Sequence, residues 1–332
     1  MKEILNHLFE HKTLSKSDAR EILKNIALGQ YNASQIAAFM TVYLMRSITV
    51  EELEGFRDAM LDLCIGLDLA AYQPIDVCGT GGDGKNTFNI STLSSFVVAG
   101  AGQAVAKHGN YGVSSPCGSS NVLEYLGIQF SNDAKQLEQQ LEEAHICILH
   151  APLFHPALKN VAPIRKELGV KTFFNMLGPM VNPAKPQNQL VGVFSLELAR
   201  LYAYLYQQSD TNFIILHGLD GYDEISLTGA FKMIARHEER IATAENLGLR
   251  STTYEAIKGG ESIAESAQIF MDILEGRGTQ AQQEVVIANA GMALYCAKKA
   301  KTLAEATAQA QESLLSGKAL QVFKKLLQLQ KN

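Results

Sequence analysis

An apolar run that stops at a glycine cluster leaves few folds open to this chain. Pro74 to Cys78 lead straight into Gly79-Thr80-Gly81-Gly82-Asp83-Gly84, four glycines within six positions. A polar stretch, Lys85-Asn86-Thr87-Phe88-Asn89-Ile90-Ser91-Thr92, comes next and gives way to the apolar run Phe96 to Ala101. The pattern predicts a strand, a bare-backbone loop and the opening of a helix. Glycines without Cβ atoms let main-chain N–H groups approach a ligand closely, and a helix N-terminus adds free donors and the positive end of a dipole. Such an arrangement suits a phosphate or pyrophosphate, and points to an enzyme that handles a phosphorylated substrate.

The loop matches neither of the two best-known phosphate signatures in full. Gly79 is followed five positions on by Gly84 and Lys85, but Asn86 stands where a Walker loop needs a hydroxyl residue for its metal. Gly79 to Gly84 fits G-x-G-x-x-G literally, yet Asp83 would set a carboxylate beside a pyrophosphate unless a metal intervened. A glycine-rich turn without a ligand is the plainer alternative. Asn89, Ser91 and Thr92, crowded onto the same turn, speak against it.

Around this loop the chain changes character. Residues 1 to about 66 carry helical stripes: Ile4, Leu5, Leu8 and Phe9; Ala19, Ile22, Leu23 and Ile26; Ile36, Phe39, Met40 and Tyr43; Leu53, Phe56, Met60 and Leu63. Thr49 with Glu52 three positions on forms a capping box for the last of them. From residue 74 strand-like runs (75–78, 104–107, 146–149, 190–194, 212–216) alternate with helical ones (91–101, 119–126, 133–144, 196–207). That alternation predicts a largely parallel sheet with helices on both faces. Pro152, Pro156, Pro163, Pro179, Pro183 and Pro186 mark a crossover away from the sheet, and helices are expected near 265–275, 280–298 and 302–329.

Bulk properties narrow the function classes. A length of 332 residues allows a large core and two domains, or one domain with a helical subdomain. A net charge of −5 argues against nonspecific binding to nucleic acid or an anionic membrane. Five cysteines without a C-x-x-C pair argue against a zinc site or a disulfide framework and fit a reducing cytoplasm. The N-terminal Met1-Lys2-Glu3-Ile4-Leu5-Asn6 lacks the apolar core of a signal peptide. The charge-free stretch from Asn86 to Ala106 is too rich in Asn, Ser, Thr and Gln to span a membrane.

Four separated motifs carry a resemblance. They are Gly79-Thr80-Gly81-Gly82-Asp83 with Asn89-Ile90-Ser91-Thr92; Lys107-His108-Gly109-Asn110-Tyr111-Gly112-Val113-Ser114-Ser115; Ala162-Pro163-Ile164-Arg165-Lys166-Glu167-Leu168-Gly169 running on to Phe174-Asn175-Met176-Leu177-Gly178-Pro179 and Asn182-Pro183; and His217-Gly218-Leu219-Asp220-Gly221-Tyr222-Asp223-Glu224-Ile225-Ser226. In this order the chain resembles the anthranilate phosphoribosyltransferases. The resemblance implies joining of the anthranilate amine to C1 of phosphoribosyl pyrophosphate, with release of pyrophosphate, in tryptophan biosynthesis. It implies a nucleoside phosphorylase/phosphoribosyltransferase-like α/β fold. A small discontinuous helical domain is expected over residues 1–66, with helices from about 157–182 packing onto it. An α/β domain is expected over 73–156 and 187–332. Two Mg²⁺ ions, a homodimer formed through the helical domain and a cytoplasmic location are implied as well.

The site residues follow from the same resemblance. Gly79, Gly82, Asp83, Thr87, Asn89, Ile90, Ser91, Thr92, Lys107, Ser115 and Ser119 are expected on phosphoribosyl pyrophosphate, and Gly79, His108, Asn110 and Arg165 on anthranilate. Ser91, Asp223 and Glu224 are the expected metal ligands, and no strong general base is expected. The chemistry agrees, since a highly charged leaving group needs cations and aimed donors more than a base. Each residue has a blander alternative: helix capping by Ser91 or Thr92, a solvated acidic turn at Asp223-Glu224, a structural His108, a surface pair between Arg165 and Glu167. Tyr111 stands where many relatives carry Arg and Gly112 where Ala is common; Cys117, Ser120 and Asn121 replace Ser, Ala and Asp. Two other functions compete. A pyrimidine nucleoside phosphorylase should show Lys-His-Ser before its Thr-Gly-Gly, where this chain has Asp76-Val77-Cys78. A non-catalytic nucleic-acid-binding relative should have a broken glycine loop, no acidic pair and a basic surface.

Overall fold

The computed structural model describes residues 1–112 and 117–330. The chain divides into two compact units, one of residues 1–67 with 151–183 and one of residues 68–150 with 184–332.

The first unit is helical. Its helices are α1 (Lys2–Phe9), α2 (Lys16–Ala27), α3 (Ala33–Met45) and α4 (Val50–Leu63), joined by α8 (Ala151–Phe154), α9 (Ala162–Leu168) and single helical turns from the later segment. The last three expected stripes point inward, as does Leu8 of the first, whereas Phe9 of that first stripe is exposed; α3 and α4 each open on a capping box, Asn32 with Gln35 and Thr49 with Glu52. Phe173 brings the later segment into register, stacking on Phe56 at 4.4 Å and meeting Tyr43 and Phe39 edge-on at 5.2 and 6.0 Å. Glu52 is buried and has several hydrogen-bond partners: the Leu14 and Thr49 N–H groups, the Tyr43 hydroxyl and the Arg46 guanidinium. A buried carboxylate is tolerable only with such partners.

The second unit is built on a seven-stranded sheet in the order β3-β2-β1-β4-β5-β6-β7. The strands are β1 (Ile75–Gly79), β2 (Val105–Gly109), β3 (Ile146–His150), β4 (Asn188–Gly192), β5 (Asn212–Gly218), β6 (Phe231–Ala235) and β7 (Glu239–Ala242). The first five in that order are parallel, and the β5-β6-β7 edge is antiparallel. The helices are α5 (Ile90–Gly100), α6 (Ser119–Tyr125), α7 (Ala134–Ala144), α10 (Leu196–Gln207), α11 (Ile263–Leu274), α12 (Gln280–Cys296), α13 (Leu303–Leu315) and α14 (Lys318–Leu329). Helix α5 is buried against α12, α13 and α14, with Phe96 edge-on to Phe323 and Phe270 at 5.4 and 5.9 Å.

Two features differ from the sequence expectation. The β6-β7 hairpin is an addition to it: Glu239-Arg240-Ile241-Ala242 is short and charged, as suits an outer strand whose Ile241 stays exposed. The stretch 302–329 is two helices, broken at Gly317, where φ is +80°. Strand β1 is the middle one of the five parallel strands. It pairs with β2 on one side and β4 on the other, so the strand order reverses at β1. Open parallel sheets bind ligands beyond the carboxyl ends of their strands at such a switch point.

Candidate active site

The glycine loop leaves β1 at that switch point. Gly81, Gly82 and Gly84 have φ of +66°, +76° and +75°, conformations that residues with a Cβ adopt at a cost. The loop is anchored at its far end. Thr87 bridges Lys258, Gly259 N–H donates to the Asn86 carbonyl at 2.8 Å, and Phe88 N–H donates to the Ile257 carbonyl. Asn89 is the N-cap residue of α5 but makes no side-chain capping bond. The Asn89 amide instead donates to the Cys117 carbonyl at 3.3 Å.

The segment after β5 folds its acidic pair onto this loop. Asp223 accepts the Gly81 N–H at 2.6 Å, and Glu224 accepts the Ser91 N–H at 2.8 Å, bonds that span 142 and 133 residues of sequence. The pair is therefore no solvated turn. Asp223 fits because two glycines leave it room. Gly79 and Gly192 are register partners at the ends of β1 and β4. A Cβ on Gly79 would collide with the Asp223 carboxylate, and one on Gly192 with the Asp223 main-chain carbonyl.

The electrostatics describe a site short of positive charge. Burial pushes the Asp223 carboxyl well above its usual range, and the charges of Glu224 and Asp83 push it the same way. Burial likewise raises Glu224 to about 7, against hydrogen bonding from Ser91. Clustered, desolvated carboxylates of this kind are stabilised by a bound cation. Among the described residues, no set of three or more His, Cys, Asp or Glu side chains could hold a metal alone. A partial set of hard oxygens, Asp223 and Glu224 with the Ser91 hydroxyl, fits Mg²⁺, which keeps waters and shares substrate phosphates.

Lys107 and His108 end β2 beside β1, both buried. The Lys107 ammonium donates to the Val77 carbonyl at 2.7 Å; burial lowers its pKa, with the charges of Asp76, Cys78 and Glu224 acting in the opposite sense. The His108 main-chain N–H donates to Asp76, a fully buried carboxylate. Beyond β2, Asn110 is exposed, and its carbonyl accepts from the Ser119 hydroxyl and the Ser120 N–H at 3.2 and 3.1 Å. Asn121 accepts from the N–H groups of Gly112 and Gly118 at 2.9 and 3.0 Å, a role that needs only its side-chain oxygen. Tyr111 lies edge-on to His150 and donates its hydroxyl to Glu124 at 3.1 Å. Ser115 lies outside the described residues.

Arg165 belongs to the helical unit, on α9. Its guanidinium lies over the Phe174 ring at 5.2 Å and reaches the Asn175 side-chain oxygen at 3.4 Å. Among the described residues it makes no ion pair, with Glu167 or any other carboxylate, and burial alone lowers its pKa. A half-buried guanidinium held between a ring and an amide is a cation prepared for an anionic ligand.

Sequence reasoning missed Gly192, the 257–259 anchor and Asp76. An isolated glycine closing an apolar strand was the available signal for Gly192. The other two depend on contacts that no local pattern encodes.

Comparison with known proteins bears on the whole chain. Residues 2–64 match the family described as "Glycosyl transferase family, helical bundle domain", and residues 71–320 match "Glycosyl transferase family, a/b domain". An anthranilate phosphoribosyltransferase of Christiangramia forsetii is 63% identical over 332 residues, covering 100% of both chains. One from Flavobacterium johnsoniae is 62% identical over 329 residues, covering 99% of both. Among solved structures, the anthranilate phosphoribosyltransferase of Thermus thermophilus superposes with a TM-score of 0.92 at 32% identity, covering 99% of each chain. The Saccharomyces cerevisiae enzyme in complex with phosphoribosyl pyrophosphate and Mg superposes at 0.90 with 25% identity, covering 98% of this chain and 96% of that one.

Proposed function

This chain belongs to the anthranilate phosphoribosyltransferase family, and from that membership we propose a division of labour among its residues. The enzyme transfers the phosphoribosyl group of phosphoribosyl pyrophosphate to the amine of anthranilate, giving N-(5-phosphoribosyl)anthranilate and pyrophosphate. The observation that carries the site assignment is the acidic pair held on the glycine loop by the Gly81 and Ser91 N–H groups. It gathers backbone donors, a helix start and hard oxygen ligands beyond the end of β1.

Gly79, Gly82, Asp83, Thr87, Asn89, Ile90, Ser91 and Thr92 receive the pyrophosphate end, where left-handed glycines turn main-chain N–H groups toward an anion. Lys107 supplies positive charge beneath it, and Ser119 with Ser115 takes the ribose phosphate. Ser91, Asp223 and Glu224 hold Mg²⁺, in two ions. When bound, the metal neutralises charge that builds on the departing pyrophosphate. Gly79, His108 and Asn110 contact anthranilate, and Arg165 grips its carboxylate with two parallel hydrogen bonds. No residue acts as a strong base: an arylamine held in line with C1 reacts through positioning once the leaving group is stabilised.

The enzyme works as a homodimer through its helical unit, where Phe9, Leu28, Leu44 and Met45 stand exposed. It works in the cytoplasm, a reading that rests on the five cysteines without a C-x-x-C pair; no helix among the described residues is long and apolar enough to cross a membrane. The test is product identification by mass spectrometry after incubation with phosphoribosyl pyrophosphate, Mg²⁺ and anthranilate, beside a pyrimidine nucleoside with inorganic phosphate. An adduct of anthranilate with equimolar pyrophosphate is expected. Nucleoside phosphorolysis without that adduct would overturn the assignment.

A further inference from the structure

Helix α12 lies in the core, and Val285, Val286, Ile287, Met292 and Leu294 along it are buried aliphatic side chains. Among them sits Asn289, 3% exposed. Its side-chain oxygen accepts the Ile225 N–H at 3.0 Å, and its side-chain nitrogen donates to the Ile225 carbonyl at 2.8 Å. The same nitrogen donates to the Val285 carbonyl at 2.9 Å, tying the amide back to its own helix. Both main-chain groups of one residue are thus held by one side chain 64 positions away. Packing alone does not require this, because an apolar side chain would serve the core without burying a polar group.

Ile225 directly follows Glu224. The backbone there has left β5, which ends at Gly218, and has not yet entered β6, which begins at Phe231. Close by, Leu227 is held at φ +59°, a conformation a leucine adopts only when its surroundings impose it. A segment between two strands needs outside partners for its N–H and C=O groups, and Asn289 provides them at Ile225.

We infer that Asn289 is a positioning residue for the acidic pair, fixing the Ile225 backbone and so the direction in which Asp223 and Glu224 are presented. The inference rests on the reading of that pair as metal ligands. Asn289 touches neither substrate nor metal and acts through Ile225. Partners one step behind a metal ligand orient it, and their loss typically weakens metal affinity by about 10- to 100-fold.

The test uses the full-length protein with two variants and a control. Asn289→Leu keeps the branched outline and removes all three side-chain bonds; Asn289→Asp keeps the acceptor and loses the donor. Met292→Ala empties part of the core on the same helix. Calorimetric titration of phosphoribosyl pyrophosphate across a Mg²⁺ series reads metal half-saturation without turnover. N289L is expected to raise that half-saturation about tenfold or more, with N289D between it and wild type and the anthranilate KM unchanged. M292A is expected to melt earlier yet keep the wild-type half-saturation. Unmoved half-saturation in the Asn289 variants overturns the positioning role, and N289D alone decides if N289L does not fold. An equal shift in M292A also overturns it, since any loosening of α12 would then suffice. Wild-type protein that binds phosphoribosyl pyrophosphate equally with and without Mg²⁺ would instead overturn the metal reading beneath the proposal.

Discussion

Gly192→Ala adds one methyl group at the end of β4 and tests whether Asp223 depends on the bare backbone beneath it. That methyl would fall within the van der Waals radius of the Asp223 carbonyl oxygen, with the Asp223 Cα only 3.4 Å away. Restoring an ordinary separation of about 3.5 Å requires movement on the order of 2 Å by the loop or the strand. The strand has little freedom, because Gly192 is the register partner of Gly79 and its carbonyl accepts the Thr80 N–H at 2.9 Å. Overpacking of this kind costs about 1–3 kcal/mol of stability, and a displacement of about 1 Å at reacting groups can cost roughly 100-fold in rate. The expectation is a modest loss of melting temperature with a fall in kcat/KM of about 100-fold or more. The assay is steady-state kinetics across a Mg²⁺ series beside thermal melts, with Gly66→Ala as control, since nothing lies within 4 Å of a Cβ there. Wild-type kcat/KM and Mg²⁺ dependence in folded G192A would refute the claim that Gly192 makes room for Asp223.

Other expectations come from particular contacts. Arg165→Ala removes a guanidinium that makes no ion pair among the described residues, so a bidentate loss of about 2–4 kcal/mol should raise the anthranilate KM roughly 30- to 700-fold. Phosphoribosyl pyrophosphate binding measured by calorimetry should change little, and equal losses for both substrates would sink the clamp. Asp223→Ala with Glu224→Ala should abolish Mg²⁺-dependent turnover in a protein that still melts cooperatively; retained activity places the metal elsewhere. Burial pushes the Glu52 carboxyl up, but hydrogen bonds from Arg46, Leu14 and Thr49 outweigh it and leave its pKa below the usual value of 4.5. A folded-state pKa depressed in this way contributes stability above the unfolded value, which is lost as pH falls through the folded one. Melting temperature should therefore fall more steeply below about pH 4.3 in wild type than in Glu52→Gln; parallel curves would count against that contribution.

Much of the fold could be read because its signals are local. The run into Gly79 and the capping box of Thr49 and Glu52 each lie within a few residues, and each forms the expected element. The break at Gly317 was also local, a glycine inside a long helical pattern, and could have been seen. The β6-β7 hairpin could not, because a short charged edge strand lacks alternation. The loop and the acidic pair were each visible, but only the fold joins them, through bonds spanning more than a hundred residues. Gly192 and Asn289 look like an ordinary strand glycine and an odd polar residue on an apolar helix. Their meaning comes from what stands opposite, Asp223 in one case and Ile225 in the other. Lys107 shows the same limit: a cation after an apolar strand predicts an anion, and the sheet also gives its ammonium the Val77 carbonyl.

The fluorescence of anthranilate, monitored on mixing with the full-length protein, phosphoribosyl pyrophosphate and Mg²⁺, tests the assignment of reaction and metal together. Fluorescence should decay only when all components are present, stop on addition of EDTA and resume with excess Mg²⁺. Undiminished fluorescence with phosphoribosyl pyrophosphate bound, or decay that EDTA leaves untouched, would contradict it.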